Sequence, residues 1–309
     1  MNFINKIIVS TISYIPKSIV QIFSKKYILG TNNIQKLNTG DKLMHTITTL
    51  SARKMVSEIK KGRISACELT GAHLERIEKI NPTVNSICTL NPDALADAQD
   101  VDKRLAAGEP SRLLEGVPYL VKDNILTKGL RATFGSRLLD DFVPEEDSVV
   151  VERMRSAGAV LIGKTNTPEF THDVNTTNFL FGTTRNPWNL DFTVGGSSGG
   201  SAASVAANLS PLAIGTDLGG SIREPSAFTG IVGIRPSFGL VPNYPVDLPW
   251  GTLVTAVVGP MARHVSDAAL MLSVFAGPDD RDPTSLPAQG IDLGEAAERK
   301  IDLKGRRIA

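Results

Sequence analysis

The sequence has little cysteine, little histidine and no strong excess of charge, and each shortage excludes a class of protein. Two cysteines in 309 residues cannot form the framework of a disulfide-rich domain, and four scattered histidines give no metal-binding pattern. A net charge of +1 lacks the overall signature of a nucleic-acid-binding protein. The apolar run Ile7 to Ile15 is too short to span a bilayer. With 41% hydrophobic residues, the chain is predicted to be a soluble globular protein of enzyme size.

The composition changes near residue 50. Residues 1–50 contain six lysines, ten isoleucines and a single acidic residue, Asp41, but no alanine, arginine or glutamate. The later sequence is rich in alanine, arginine, glutamate and glycine. We therefore predict a basic, isoleucine- and lysine-rich extension over residues 1–50, outside the fold, and one folded domain over residues 51–309. The alternatives for the extension are the core of a signal peptide and a basic amphipathic surface segment.

Helix and strand signals alternate after residue 50. Ser65 and Glu68 match a capping box that opens a helix, and Asn91-Pro92 is predicted to open a second one. The last predicted helix has Ser266 or Asp267 near its start. Further predicted helices are 149–157, 201–208 and 265–275, and the predicted strands are 117–121, 159–162 and 211–215. This alternation predicts an α/β fold with a mixed β-sheet core flanked by helices on both faces.

Three polar segments are candidates for a functional site, and each also has a purely structural interpretation. Residues 195–201 read Gly-Gly-Ser-Ser-Gly-Gly-Ser, which is either a flexible linker or a loop whose glycines permit close backbone approach. Gly219-Gly220-Ser221 is either a tight turn or a set of converging N–H groups suited to an oxyanion. Lys122 follows an apolar strand, where it is either solvated or desolvated with a lowered pKa, so that its neutral amine can act as a base.

One motif match is misleading. Residues 158–165, Gly-Ala-Val-Leu-Ile-Gly-Lys-Thr, fit the phosphate-loop pattern. The four apolar residues inside the motif favour a strand, and Pro168 would cut short the helix that must follow a phosphate loop. We therefore predict a core strand and the turn after it, and we reject a nucleotide-binding site.

Together, these segments resemble the amidase signature family. The resemblance rests on Lys122-Asp-Asn, on Gly-Gly-Ser197-Ser198-Gly-Gly-Ser and on Gly-Thr-Asp-Leu-Gly-Gly-Ser221-Ile-Arg-Glu-Pro. Three further motifs follow in the family's order: Gly163-Lys-Thr-Asn-Thr-Pro-Glu-Phe, Asn186-Pro-Trp-Asn and Gly230-Ile-Val-Gly-Ile-Arg-Pro-Ser-Phe-Gly. The similarity extends from about Thr49 to the last residue. It implies the amidase signature fold.

The resemblance also implies a Ser-Ser-Lys triad. Ser221 would be the nucleophile that forms the acyl-enzyme, Lys122 the base, and Ser197 the bridge between them after a cis peptide bond at Gly196–Ser197. The oxyanion hole would be formed by backbone N–H groups of Leu218, Gly219, Gly220 and Ser221. Supporting roles are expected for Gly196, Ser198, Thr216, Asp217 and Arg223. Within this set, Asp217 and Arg223 are expected to pair, and Ser198 and Thr216 to orient the triad through hydrogen bonds.

The expected function is hydrolysis of a carboxylic amide to an acid and ammonia or an amine, without a metal, nucleotide or organic cofactor. The alternative is the A subunit of a tRNA-dependent amidotransferase, which releases ammonia from glutamine for its partners. Residues 243–250, Asn-Tyr-Pro-Val-Asp-Leu-Pro-Trp, do not resemble the usual continuation of that protein. A histidine-dependent hydrolase would need His172 or His264 as its base, and we predict that neither serves.

The expected partner is a small-molecule amide, with a homodimer as the expected form of any self-association. Nucleic acid is expected only under the amidotransferase alternative, no membrane span is expected, and the expected location is the cytoplasm. Residues 303–309 resemble the opening of another core strand. Family members usually continue well past this point, so the resemblance implies a domain that is truncated at its C-terminal end.

Overall fold

The computed structural model describes residues 46–245, 256–287 and 293–299, together with residues 302, 304, 305 and 307. Most of the predicted extension and of the strand expected after residue 302 therefore lies outside the described residues. Ile47 and Thr48 are buried, and Arg263 donates hydrogen bonds to the carbonyl oxygens of Thr48 and Leu50. These residues pack on the domain, and the boundary of the extension at residue 50 stays a prediction.

The core is a six-stranded mixed sheet. The strands in chain order are β1 (Ile87–Leu90), β2 (Pro118–Lys122), β3 (Val160–Thr165), β4 (Thr177–Asn178), β5 (Gly182–Thr183), β6 (Leu212–Asp217), β7 (Val232–Gly233) and β8 (Val257–Ala262). The order across the sheet is β1-β3-β2-β6-β8-β7, and β4 and β5 form a separate hairpin. Strand β2 is parallel to both β3 and β6, whereas the other pairs are antiparallel. The predicted mixed sheet is confirmed.

Helices cover both faces of this sheet, as predicted. They are α1 (Ala52–Lys60), α2 (Ala66–Val84), α3 (Ala94–Ala106), α4 (Val149–Ser156), α5 (Gly199–Ala206), α6 (Arg223–Thr229), α7 (Val265–Phe275) and α8 (Leu293–Glu298). Tyr119 and Val121 of β2 belong to the core on the side of α1, α4 and α7, whereas Leu120 belongs to the core on the side of α2, α3 and α5. Both faces of β2 are therefore buried, which explains its unbroken apolar sequence. None of the helices in the described part of the chain is long and apolar enough to cross a membrane.

Local capping signals account for the start of α2 but not of α3. The capping box is present, because Ser65 Oγ accepts the N–H of Glu68 at 3.0 Å and Glu68 Oε2 accepts the N–H of Ser65 at 2.8 Å. The prediction that Asn91 caps α3 is wrong by two residues, since the cap is Asp93. Asn91 Oδ1 accepts the N–H of Asp93 at 3.1 Å, and its carbonyl oxygen accepts that of Ala94 at 3.3 Å. These bonds make a turn that precedes the helix.

Asp267 caps a helix that is distant in the sequence. Helix α7 has the predicted bounds, with His264 at its N-cap position. The carboxylate of Asp267 instead accepts the N–H of Ala52 at 2.9 Å and that of Arg53 at 3.2 Å, in the first turn of α1. Because more than 200 residues separate the partners, no local pattern could indicate this cap.

His73 in α2 makes the fold sensitive to acid. It is 0% exposed, neither ring nitrogen has a hydrogen-bond partner among the described residues, and burial, with the charges of Arg263 and Arg76, lowers its pKa to about 3. Between pH 6.5 and about 3, the unfolded chain binds a proton here that the folded chain does not. The free energy of unfolding should therefore fall with decreasing pH, with a contribution from this residue of up to about 1.4 kcal/mol per pH unit.

The variant His73→Gln removes this titration. We expect urea unfolding between pH 7 and pH 4 to show a shallower loss of stability in the variant than in the wild-type protein. Equal pH dependence of the two proteins would contradict the assignment.

Candidate active site

The candidate site lies where two central parallel strands end. Lys122 is the last residue of β2, and Thr216 and Asp217 are the last two residues of β6. The strands are parallel neighbours, with Tyr119 opposite Leu212. Because the carboxyl ends of parallel strands meet at the same edge of a sheet, the side chains at these ends converge there.

Lys122 is a buried lysine in contact with two hydroxyl groups. It is 0% exposed, and its Nζ atom lies 2.6 Å from Ser197 Oγ and 2.9 Å from Thr216 Oγ1. The structure thus brings together the lysine and the bridging serine that the family resemblance implies. It also places Thr216, an expected supporting residue, directly on the lysine. An amine held in this way can accept a hydroxyl proton when it is neutral.

Ser197 lies in a loop that leaves no room for extra side chains. The Gly196–Ser197 peptide bond is cis, as the resemblance implies. A Cβ atom on Gly196 would lie 2.7 Å from the carbonyl oxygen of Asp173, so close backbone approach requires glycine there and the linker interpretation is wrong. Helix α5 begins two residues before its predicted start at residue 201, because the N–H groups of Gly199 and Gly200 find acceptors outside the helix.

Ser198 joins the two glycine-rich segments. Its N–H donates to the carbonyl oxygen of Ser221 at 3.1 Å, and its hydroxyl donates to the carbonyl oxygen of Thr216 at 3.1 Å. Ser198 is therefore bonded to both ends of the loop that carries the proposed nucleophile. Among the described residues, no hydrogen bond joins the hydroxyl groups of Ser197 and Ser221 directly.

Asp217 organises the loop that carries Ser221. Its buried carboxylate accepts the N–H of Gly220 at 2.8 Å and that of Ile222 at 3.1 Å. Arg223 adds two side-chain hydrogen bonds of 3.0 Å, which make the expected pair. Burial alone would raise the pKa of Asp217, but the Arg223 guanidinium and the backbone N–H groups outweigh it and lower the pKa below its usual value. The carboxylate therefore stays charged and holds the loop in place.

The N–H groups expected to form an oxyanion hole are not equivalent. The Gly220 N–H is already donated to Asp217, whereas no hydrogen bond within the described ranges uses the N–H groups of Leu218, Gly219 or Ser221. Leu218 is 42% exposed, and no described atom lies within 4 Å of a Cβ built on Gly219 or Gly220. This side of the loop is therefore open around Leu218 and the two glycines.

Among the described residues, neither His172 nor His264 has a side-chain hydrogen bond to a serine of the candidate site. His264 follows β8, whose last residue, Ala262, pairs with Leu212 at the start of β6, so His264 lies at the opposite edge of the sheet from Lys122. His172 is exposed beside the segment that packs on Gly196, and in the described residues its side chain has no hydrogen bond to a serine. Both placements agree with the prediction that these residues are not the base.

The phosphate-loop lookalike is a core strand, as predicted. Its residues 160–165 form β3 and are all buried. Lys164 donates hydrogen bonds to the carbonyl oxygen of Ile125 and to Thr127 Oγ1, so its amine is directed into the protein. Burial lowers the pKa of Lys164, an effect that the nearby charge of Asp123 opposes. The described residues also contain no cluster of histidine, cysteine and carboxylate side chains that could hold a metal ion.

Two threonines beside Ser197 are not among the site residues predicted from the sequence. The hydroxyl of Thr167 donates to the carbonyl oxygen of Ser197 at 3.1 Å, and that of Thr176 donates to the carbonyl oxygen of Gly195 at 2.9 Å. Both threonines are at most 1% exposed. Thr167 falls inside a family motif, but nothing in the local pattern of either residue distinguishes it from a surface threonine.

Comparison with known proteins agrees with this geometry. The family model described as Amidase matches residues 68–309, which is most of the chain. The chain belongs to the amidase signature family.

Several relatives are A subunits of the glutamyl-tRNA(Gln) amidotransferase. The A subunit from Thermosynechococcus vestitus is 48% identical over 251 residues, which cover 81% of this chain and 51% of that protein. The protein of the same name from Acidothermus cellulolyticus is 46% identical over 266 residues, covering 86% of this chain and 52% of that protein. The chain therefore spans about half the length of the curated relatives it matches.

Solved structures of the family have the same fold. A bacterial aryl acylamidase of the amidase signature family superposes with a TM-score of 0.74 at 38% identity, over 80% of this chain and 51% of the other. The peptide amidase of Stenotrophomonas maltophilia superposes with a TM-score of 0.72 at 36% identity, over 79% and 51% of the two chains. At this level of identity, the likeness supports the fold class predicted from the sequence.

Proposed function

We propose that this chain is an amide hydrolase that works through an acyl-Ser221 intermediate. The observation that carries the proposal is the 2.6 Å contact between the Nζ atom of Lys122 and Ser197 Oγ, inside a site where both residues are at most 1% exposed. A serine hydroxyl is a weak nucleophile until a neighbouring group removes its proton. In the proposed relay, Ser197 passes the proton of Ser221 to the buried amine of Lys122, so that no histidine is needed.

The proposed reaction uses Ser221 as the nucleophile, Ser197 as the bridge and Lys122 as the base. The hydroxyl oxygen of Ser221 attacks the amide carbon while its proton passes to Ser197 and the proton of Ser197 passes to Lys122. The carbonyl oxygen becomes an oxyanion, which the unused N–H groups of Leu218, Gly219 and Ser221 stabilise.

Breakdown of this intermediate reverses the proton path. The C–N bond breaks as the same relay returns a proton to the leaving nitrogen, which departs as ammonia or an amine. Water then attacks the acyl carbon by the same route, which releases the acid and restores the serine hydroxyl. Each half of the reaction transfers protons and expels one leaving group, and no atom is oxidised or reduced.

A second candidate is the A subunit of a tRNA-dependent amidotransferase. The observation in its favour is the identity of 44–48% to proteins of that name. The acyl-enzyme chemistry would be the same, with glutamine as the amide and the ammonia passed to partner proteins. Release of ammonia from simple amides by the chain alone would favour the hydrolase, and activity on glutamine only with those partners would favour the amidotransferase. The cytoplasmic location and a homodimer stay predictions.

Labelling with an alkyl fluorophosphonate tests the mechanism. We expect the probe to form an O–P bond to Ser221 with loss of fluoride, and the modified residue to be found by mass spectrometry of the digested protein. The variant Ser221→Ala should carry no label, whereas Thr70→Val, in α2 and without a hydrogen bond to a site residue, should be labelled normally. Label on Ser198 or Ser201 in place of Ser221 would contradict the proposed roles.

A further inference from the structure

The hydroxyl of Thr176 bridges the loop that carries Ser197. Its Oγ1 atom donates to the carbonyl oxygen of Gly195 at 2.9 Å and accepts the N–H of Gly199 at 3.1 Å. These two groups belong to the second residue before and the second residue after Ser197. One side chain therefore closes a bridge across the five-residue segment that has Ser197 at its centre.

The backbone around Ser197 is held by hydrogen bonds from neighbouring segments. Its hydroxyl is bonded to Lys122, and its carbonyl oxygen is bonded to Thr167 at 3.1 Å. The four glycines at positions 195, 196, 199 and 200 add no side chains to the loop, and Ser198 bonds to Thr216 and Ser221. Hydrogen bonds from neighbouring segments must therefore define where the Ser197 hydroxyl points.

Thr176 itself is buried and bonded to a neighbouring segment. It is 1% exposed, and its carbonyl oxygen accepts the N–H of Thr184 at 2.9 Å, next to the β4–β5 hairpin. A Cβ atom built on Gly199 would collide with the side chain of Thr176, which shows how closely the two segments approach. The threonine hydroxyl thus transmits the position of the hairpin segment to the start of α5.

We propose that Thr176 is a positioning residue for Ser197 in the proton relay between Lys122 and Ser221. The proposal rests on the function proposed above. Thr176 does not touch the reacting atoms, and it acts by keeping Ser197 Oγ within hydrogen-bond reach of the lysine. Displacement of a relay group by about 1 Å is enough to cost on the order of 100-fold in rate.

The test compares Thr176→Val, Thr176→Ser and Thr176→Ala with the wild-type protein. Valine keeps the shape but loses both hydrogen bonds, whereas serine keeps the hydroxyl and loses only the methyl group. Serine and alanine differ only in the hydroxyl, so this pair decides the question if the valine variant does not fold. The control is Thr70→Val, because Thr70 is buried in α2 with a hydroxyl that has no partner among the described residues.

The readout is the fluorophosphonate labelling of Ser221 as a function of probe concentration, measured below the melting temperature of each variant. For Thr176→Val and Thr176→Ala we expect the maximal labelling rate to fall on the order of 100-fold. The probe concentration that gives half of the maximal rate should change less than about threefold, since positioning affects the reaction more than binding. Serine should restore most of the rate, and Thr70→Val should react like the wild-type protein.

Three results would overturn the proposal. They are a wild-type labelling rate in Thr176→Val, equal labelling rates in Thr176→Ser and Thr176→Ala, and a change only in the probe concentration that gives half of the maximal rate. Failure of the underlying function has a different signature, because the wild-type protein itself would then carry no label on Ser221.

Discussion

Replacement of Lys122 by methionine is expected to reduce acylation of Ser221 by at least about 10³-fold, the scale of a lost general base. Methionine has a similar length and no ionisable group, and the side chain it replaces is 0% exposed. The fold should be retained at the assay temperature, because methionine fills a similar buried volume, although the loss of the hydrogen bonds to Ser197 and Thr216 should lower the melting temperature. The measurements are the rate of fluorophosphonate labelling and the melting temperature of the purified variant.

A second buried lysine provides the matched control. Lys164 is also 0% exposed, but its amine bonds to Ile125 and Thr127 and not to a serine. Lys164→Met should therefore lower the melting temperature, while the folded fraction keeps its reaction at Ser221. Rapid labelling of Lys122→Met would show that Lys122 is not the specific base. An equal loss of labelling in folded Lys122→Met and folded Lys164→Met would show the same.

Gly200→Ala is expected to destabilise the fold by several kcal/mol, since atoms of the rigid backbone occupy the space that the new methyl group needs. A Cβ atom there would lie 2.5 Å from the backbone nitrogen of Asn166 and 2.7 Å from the carbonyl oxygen of Ser86, and it would also collide with the carbonyl oxygen of Asn166. Relief of these contacts requires movement of the first turn of α5, which follows Ser197. Labelling of Ser221 should therefore fall together with stability.

The control for this variant is a glycine in open space. Gly71 lies inside α2, and a Cβ atom there has no neighbour within 4 Å. Gly71→Ala should raise the free energy of unfolding by about 0.5–1 kcal/mol through helix propensity alone. Urea unfolding measures both variants. A Gly200→Ala protein with wild-type stability would mean that the first turn of α5 is not closely packed against Asn166 and Ser86.

Short-range signals account for the elements that the sequence predicts well. The capping box at Ser65 involves residues three apart, and the bounds of α7 follow from its own apolar periodicity. The prediction that Asn91 caps α3 fails because two local alternatives compete there, a cap and a turn, and the pattern is compatible with both. The same limit applies to the glycine-rich segment 195–201, whose letters suit a linker as well as a packed loop.

Long-range contacts account for the features that the sequence does not indicate. Asp267 lies in the first turn of α7, yet its carboxylate caps α1. Thr176 belongs to no motif, yet its hydroxyl bridges the backbone around Ser197. Gly220 lies in the predicted oxyanion loop, but Asp217 already accepts its N–H. Each of these facts depends on which groups meet in space, which composition and spacing do not encode.

The sequence by itself determined the family and the mixed α/β class, and it predicted the lysine and serines of the candidate site, because residue types in motifs carry the chemistry. The tertiary structure alone decided how these residues are used. It buried Lys122 against Ser197, directed Lys164 into the core instead of towards a phosphate, and assigned the loop N–H groups either to Asp217 or to open space. The physical reason is that proton transfer and hydrogen bonding depend on distances of about 3 Å between groups far apart in the chain, and only the packing of the sheet and helices sets those distances.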